Sequence, residues 1–171
     1  MTRPQSTEAA EYYSRYIDLI TSEEIVPTFK DQLGQTVQFL EGISEEQSLK
    51  AYEPGKWSIR EVIGHLADAE RIHTFRALTF ARNDAIELPK WGPDSYAAAA
   101  NFNVRSVRNL VDEELAVRDA TIALFSSLPA EAWSREGTVS GKRLTVRAIA
   151  YIATGHVKRH LNILRERYGV E

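Results

Sequence analysis

The chain contains no cysteine. That absence excludes a disulfide framework, a thiolate nucleophile supplied by the chain, a cysteine zinc knuckle and an iron–sulfur cluster. An excess of one charge sign is also missing. The 171 residues carry 21 Lys+Arg against 24 Asp+Glu, a formal charge of −3. This excludes a strongly basic nucleic-acid or membrane-binding protein and leaves room only for a local basic patch. No stretch approaches the run of about 18 apolar residues that a membrane span requires. The opening MTRPQSTEAAEYYSRY has early acids and no apolar segment of the secretory kind, so a cytoplasmic location is expected. Any transition metal must be held by the four histidines and the carboxylates.

What is present reads as an ordinary globular chain, 43% hydrophobic and 26% charged. The length fits one domain, residues 1–171. Residues 1–22 are polar apart from Tyr12, Tyr13, Tyr16, Ile17 and Ile20, and read as an arm packed on the body. A first long helix is predicted from Glu23 to Leu40, with Ile25, Phe29, Leu33, Val37 and Leu40 as its apolar stripe. Pro27 suits its first turns and Gly42 its end. A second starts at Ser58, where Ser58 and Glu61 form a capping box, and runs to about Arg82. Its apolar side is Ile59, Val62, Ile63, Leu66, Ala69, His73, Ala77 and Phe80. A third spans roughly Asn103 to Ser126, on Val107, Leu110, Val111, Leu115, Ile122 and Phe125. A fourth is capped by Thr145 and ended by Gly169. The segment TVSGKRLTV before it has the form of a small hairpin. The pattern implies an all-α fold, a four-helix bundle. Residues 83–101 make an unusually long connection. A crossover that sets helices two and three parallel accounts for it, as does a lid over a site.

Three histidines carry the functional signal. His156 and His160 lie four residues apart, on one face of the last helix. That face also holds Val146, Ile149, Ala153 and Leu164, so both imidazoles point into the bundle. Buried imidazoles need partners, and a metal or internal hydrogen bonds can supply them. His65 lies just off the stripe of the second helix and can reach the same interior. Three imidazoles would hold zinc, nickel or iron(II) and leave positions open for water or substrate, the pattern of a catalytic site. Taken alone, His65 reads first as an ordinary core histidine, and His73 reads as a core or boundary residue. Glu61 is accounted for as a cap. Asp68 and Glu70 are either supports to a ligand histidine or solvated. Trp57 fits a hydrophobic staple before the cap. Trp91 and Trp133 lie in connections, where loop packing is the ordinary role.

The segments KWSIREVIGHLADAER and GHVKRHLNILRERY, with NFNVRS and IALFSSLPAEAW between them, closely resemble the DinB/YfiT-like superfamily of metalloenzymes over residues 23–168. The resemblance implies a four-helix bundle with a long crossover between helices two and three. It implies a metal triad of His65, His156 and His160 and a bound nickel or zinc ion. Relatives of this kind include thiol-dependent isomerases and S-transferases as well as hydrolases, and many are homodimers. A small-molecule substrate and a low-molecular-weight thiol cofactor follow as expectations, because this chain has no thiol of its own. An open histidine site favours the thiolate of a bound thiol, or activates water in a hydrolase.

Two other readings remain. One is a non-catalytic structural or binding module whose metal ties helices two and four together. The other is a nucleic-acid binder using Arg147, Lys158, Arg159, Arg165 and Arg167. Glu166 and Glu171 interrupt that stripe, which makes it the weaker of the two.

Overall fold

A computed structural model describes residues 2–84 and 86–171. Its helices are α1 (Ser14–Ile17), α2 (Ile25–Glu41), α3 (Glu45–Ser48), α4 (Ile59–Ala81), α5 (Pro93–Ala100), α6 (Val107–Ser126) and α7 (Val146–Tyr168). Its strands are β1 (Glu87–Leu88), β2 (Glu136–Val139) and β3 (Lys142–Thr145). Helices α2, α4, α6 and α7 pack as an all-α four-helix core.

The two helices that carry the histidines begin and end as their caps dictate. Ser58 Oγ accepts the Glu61 N–H at 3.1 Å, and the Glu61 carboxylate accepts the Ser58 N–H at 2.6 Å. Two N–H groups at the start of α4 are thereby engaged. Thr145 Oγ1 accepts the Ala148 N–H at 3.0 Å to start α7, and Gly169 closes it in the left-handed region at φ 66°.

Helices α4 and α6 run parallel. Ser58 meets Asn103 just ahead of α6, Glu70 meets Arg118, and Thr74 meets Thr121, so the partners advance together along both helices. Parallel neighbours require a crossover, and residues 83–101 supply it. Those residues are not structureless. They contain β1, which pairs parallel with β2, and α5, whose last turn is the alanine run. β2 and β3 form the expected hairpin, and Ser140 and Gly141 take φ values of 49° and 71° in its two-residue turn. The three-stranded sheet lies against the C-terminal end of α4, where Gly137 leaves room for the Phe80 ring.

Three sequence expectations need correction. Helix α6 starts at Val107 rather than Asn103, because Phe102–Val104 forms a separate 3₁₀ turn and Ser106 caps the helix. The buried face of α2 passes through Gln32 and Thr36 instead of Leu33 and Val37, which are only partly buried. Gln32 Nε2 donates to the Thr154 carbonyl of α7 at 2.9 Å, which explains how an amide occupies that face. On α6, Glu114, Arg118 and Thr121 take the interior, and Leu115 and Ile122 are displaced to its edge.

The arm does pack on the body, with α1 lying along α7. A Cβ on Gly155 would stand 2.1 Å from the Tyr16 carbonyl oxygen, so glycine at this position lets the arm close. Glu8 holds the arm's beginning, accepting from Thr145 Oγ1 at 2.8 Å and from Arg147 Nε at 3.0 Å.

Candidate metal centre

His65 comes from the second turn of α4, and His156 and His160 from successive turns of α7. α4 and α7 run antiparallel, since the end of α7 meets the start of α4, where the Tyr168 hydroxyl donates to the Trp57 carbonyl at 2.7 Å. The three imidazoles meet between the helices. His65 Nε2 and His156 Nε2 are 3.1 Å apart. One ring nitrogen from each histidine falls within 4.8 Å of the others. His65 is 5% and His156 7% exposed, and His160 is half-buried.

Burial sets their protonation. It lowers the His65 pKa to about 3, helped by His160 and His73. It lowers His160 to about 4, with Arg159 adding to the effect, and takes His156 well below the ordinary value. Neutral imidazole is the ligating form.

The residues fit a metal ion. Two nitrogens bound at about 2.0–2.1 Å in a tetrahedral arrangement stand about 3.3 Å apart, close to the His65–His156 spacing. His160 Nδ1 is buried without a hydrogen-bond partner. An all-imidazole set of neutral donors suits zinc or nickel.

His73 lies beside the group, with its ring centroid 5.7 Å from that of His156, and does not join the set. Burial lowers its pKa to about 3, with Arg76 and Arg118 contributing. Glu61 is a cap, as expected. Glu70 is neither solvated nor in hydrogen-bond contact with an imidazole, because it faces Arg118 at 3.0 Å. Asp68 is partly exposed and lies 3.7 Å from Arg71.

The imidazoles form the floor of a cleft of about 530 Å³. The arm contributes Tyr13 and Tyr16 to its walls, the crossover Trp91, and the hairpin Ser140 and Lys142. Trp91 stacks on His65 at 5.6 Å with the rings 10° from parallel, and Trp57 approaches the same imidazole at 4.7 Å. Trp91 is therefore a wall of the site in addition to packing the crossover. Trp133 keeps the ordinary role, buried 5.5 Å from Phe125. Sequence reasoning also passed over Arg76, which lines the cleft. Its signal was available: it follows His65 by eleven residues (76 − 65), about three helical turns, and so shares its face.

Four histidines held neutral by their surroundings make metal-free protein sensitive to acid. The unfolded chain takes up protons below about pH 6.5, whereas in the folded protein His65, His73 and His160 stay neutral until about pH 3–4. Full stability is expected above pH 6.5, with loss as pH falls toward 4, at up to about 1.4 kcal/mol per pH unit for each histidine. Glu114, held protonated to about pH 8 by burial and then by Glu70, opposes this as one group against four. Urea midpoints of metal-free protein between pH 7.5 and 4.5 check the slope. A flat profile would contradict the burial of these rings.

Comparison with known proteins bears on the fold. The family model of the DinB superfamily matches residues 28–164. A candidate metal-dependent hydrolase of Oceanobacillus iheyensis is 31% identical over 78 residues, which is 41% of this chain and 43% of that protein. The match thus spans less than half of that relative's length. The structure of YfiT from Bacillus subtilis, described as a probable metal-dependent hydrolase with an unusual four-helix bundle topology, superposes with a TM-score of 0.73. It is 16% identical, over 98% of this chain and 94% of that one. A mycothiol-dependent maleylpyruvate isomerase gives a TM-score of 0.67 at 12% identity, over 85% of this chain and 61% of that one. With the family model covering most of its length, the chain belongs to the DinB superfamily.

Proposed function

We propose that the protein is a metal-dependent enzyme acting on a small molecule, with His65, His156 and His160 as ligands of one divalent transition-metal ion, zinc or nickel. The observation that carries this reading is the meeting of three neutral imidazoles at the floor of an open cleft. A purely structural tie between α4 and α7 would have no use for about 530 Å³ of open space beside its ligands. A bound ion supplies Lewis acidity toward a thiol or a water molecule held in the cleft.

The chain's residues do the rest. His65 is fixed in orientation by Trp91 on one face and Trp57 nearby. The same indoles and the tyrosines of the arm exclude bulk water from the floor. The absence of cysteine means that any thiol nucleophile comes from a low-molecular-weight cofactor. Thiol-dependent transfer and hydrolysis both use this arrangement. The fold shared with a thiol-dependent isomerase supports the first, and the likeness to candidate hydrolases supports the second.

A screen that crosses cofactor thiols with electrophiles, beside a panel of esters, tests the reading. Turnover is expected with at least one combination, lost on chelation and restored by zinc or nickel. No turnover anywhere, together with a fall in melting temperature on chelation, would favour the structural tie. The family reading extends to one domain over residues 1–171, acting as a cytoplasmic homodimer that does not bind nucleic acid. Light scattering and a DNA-binding assay at low salt test the assembly and the binding. No helix among the described residues is long and apolar enough to cross a membrane.

A further inference from the structure

Three arginines are buried among the described residues: Arg60, Arg76 and Arg118. Arg60 pairs with Glu45, and Arg118 faces Glu70 at 3.0 Å. Arg76, only 4% exposed, has no carboxylate within ion-pair distance among the described residues. One nitrogen, Nη2, donates to the Pro89 carbonyl at 3.2 Å, and the Tyr13 side chain lies beside the guanidinium. A guanidinium has five N–H donors, so most of this one's capacity is unspent. Burying a cation without a counter-charge is costly.

The surroundings explain where the missing charge belongs. Arg76 lines the cleft whose floor is the three imidazoles. Lys90 and Lys142 line it as well, both exposed. No aspartate or glutamate lines it. The remaining walls are largely aromatic, with Tyr13, Tyr16 and Trp91 offering ring faces and edges. The cleft thus joins an unpaired buried cation to an apolar enclosure within a chain of net charge −3.

We propose that Arg76 binds the acidic group of the substrate, and that the cleft takes a small organic anion, a carboxylate or phosphate carried on an aromatic or apolar body. The proposal rests on reading the cleft as the substrate site. It names the class of molecule and the residue that selects it. Arg76 engages the acid by charge-assisted hydrogen bonds, and Lys90 and Lys142 attract the anion at the mouth. The aromatic walls hold the body above the imidazole floor.

The test uses three probes with the same aromatic body: phenylacetate, phenyl phosphate and the neutral phenylacetamide. Binding is read from quenching of tryptophan fluorescence, since Trp57 and Trp91 line the cleft. Titrations are run on metal-loaded and on chelated protein. At least one anion is expected to bind about tenfold more tightly than phenylacetamide in both forms. Whichever acid is preferred identifies the group. Arg76→Met is expected to abolish the preference, and Arg76→Lys to retain part of it. Metal content and the circular dichroism spectrum of both variants are expected to match the parent. The double variant K90M/K142M is expected to keep the preference while weakening its dependence on salt.

Equal binding of anion and amide, failure of any anion to bind below about 10 mM, or a preference that survives Arg76→Met would overturn the proposal. So would a preference that vanishes on chelation, because the metal would then hold the acid. Failure of the metal reading looks different. The parent protein would hold no ion, while the anion preference and its loss in Arg76→Met would remain.

Discussion

Replacing His156 with alanine is expected to remove bound zinc or nickel from the protein and to abolish metal-dependent turnover. Loss of a residue that merely supports a ligand costs about 10–100-fold in metal affinity, and loss of a ligand costs more. His156 touches both of the other imidazoles. Its Nε2 lies 3.1 Å from that of His65, and its ring centroid lies 4.5 Å from that of His160. Without it, His65 and His160 remain as a pair 4.9 Å apart between ring centroids, two ligands instead of three. The measurement is metal content of untagged protein by elemental analysis, with one ion per chain expected in the parent and a small fraction of that in the variant. His73→Ala is the matched control. His73 lines the same cleft and is just as deeply buried, yet it lies outside the three-nitrogen set, so this variant is expected to keep its metal. Unchanged metal in the His156 variant, or metal loss in the His73 control, would refute the assignment.

Replacing Arg118 with methionine is expected to destabilise the fold by about 3–5 kcal/mol. The Arg118 and Glu70 side chains are 2% and 1% exposed, and they face one another at 3.0 Å between α6 and α4. Glu70 Oε1 meets no donor in hydrogen-bond geometry, so the contact acts mainly through charge. The guanidinium also lies over the Phe29 ring of α2 at 5.0 Å. Glu114 shares this interior and keeps its proton to about pH 8, because burial and then Glu70 disfavour a second negative charge. The cluster is therefore balanced by one cation and one anion. Removing the cation alone strands Glu70 in a low-dielectric interior. A double variant that also replaces Glu70 with leucine is expected to recover most of the loss, since a packed apolar pair avoids both desolvation costs. Urea unfolding of the parent, the single variant and the double variant measures this cycle. A loss below about 1 kcal/mol in the single variant would mean that the pair is solvated.

The parts of the fold written in local chemistry were legible in advance. Ser58 with Glu61 and Thr145 with Gly169 mark their helix ends by hydrogen bonds and backbone angles that involve only near neighbours. The placing of His156 and His160 on an apolar face followed from a four-residue spacing. The missed features depend on distant partners. A periodicity reading sends charged residues to solvent, so Leu115 and Ile122 were preferred over Glu114 and Arg118. Only Glu70, forty-eight positions before Arg118 (118 − 70), makes that arginine a core residue. Gln32 is buried for a similar reason, its partner being the Thr154 carbonyl. β1 is two residues long and exists only because β2 is there to pair with it. Arg76 and Trp91 became recognisable as parts of the site only once the arm, crossover and hairpin had come together over α4 and α7.

That assembly divides the site into a floor and walls with different freedoms. The floor belongs to two long capped helices whose packing sustains the whole bundle, so its geometry resists change. The walls belong to an arm, a crossover and a two-residue turn, segments distant in sequence that meet only here. Apart from Trp91, which stacks on His65, each can gain, lose or exchange a side chain without moving an imidazole. Over evolutionary time a scaffold of this kind can hold its chemistry constant while altering what it accepts, one wall at a time.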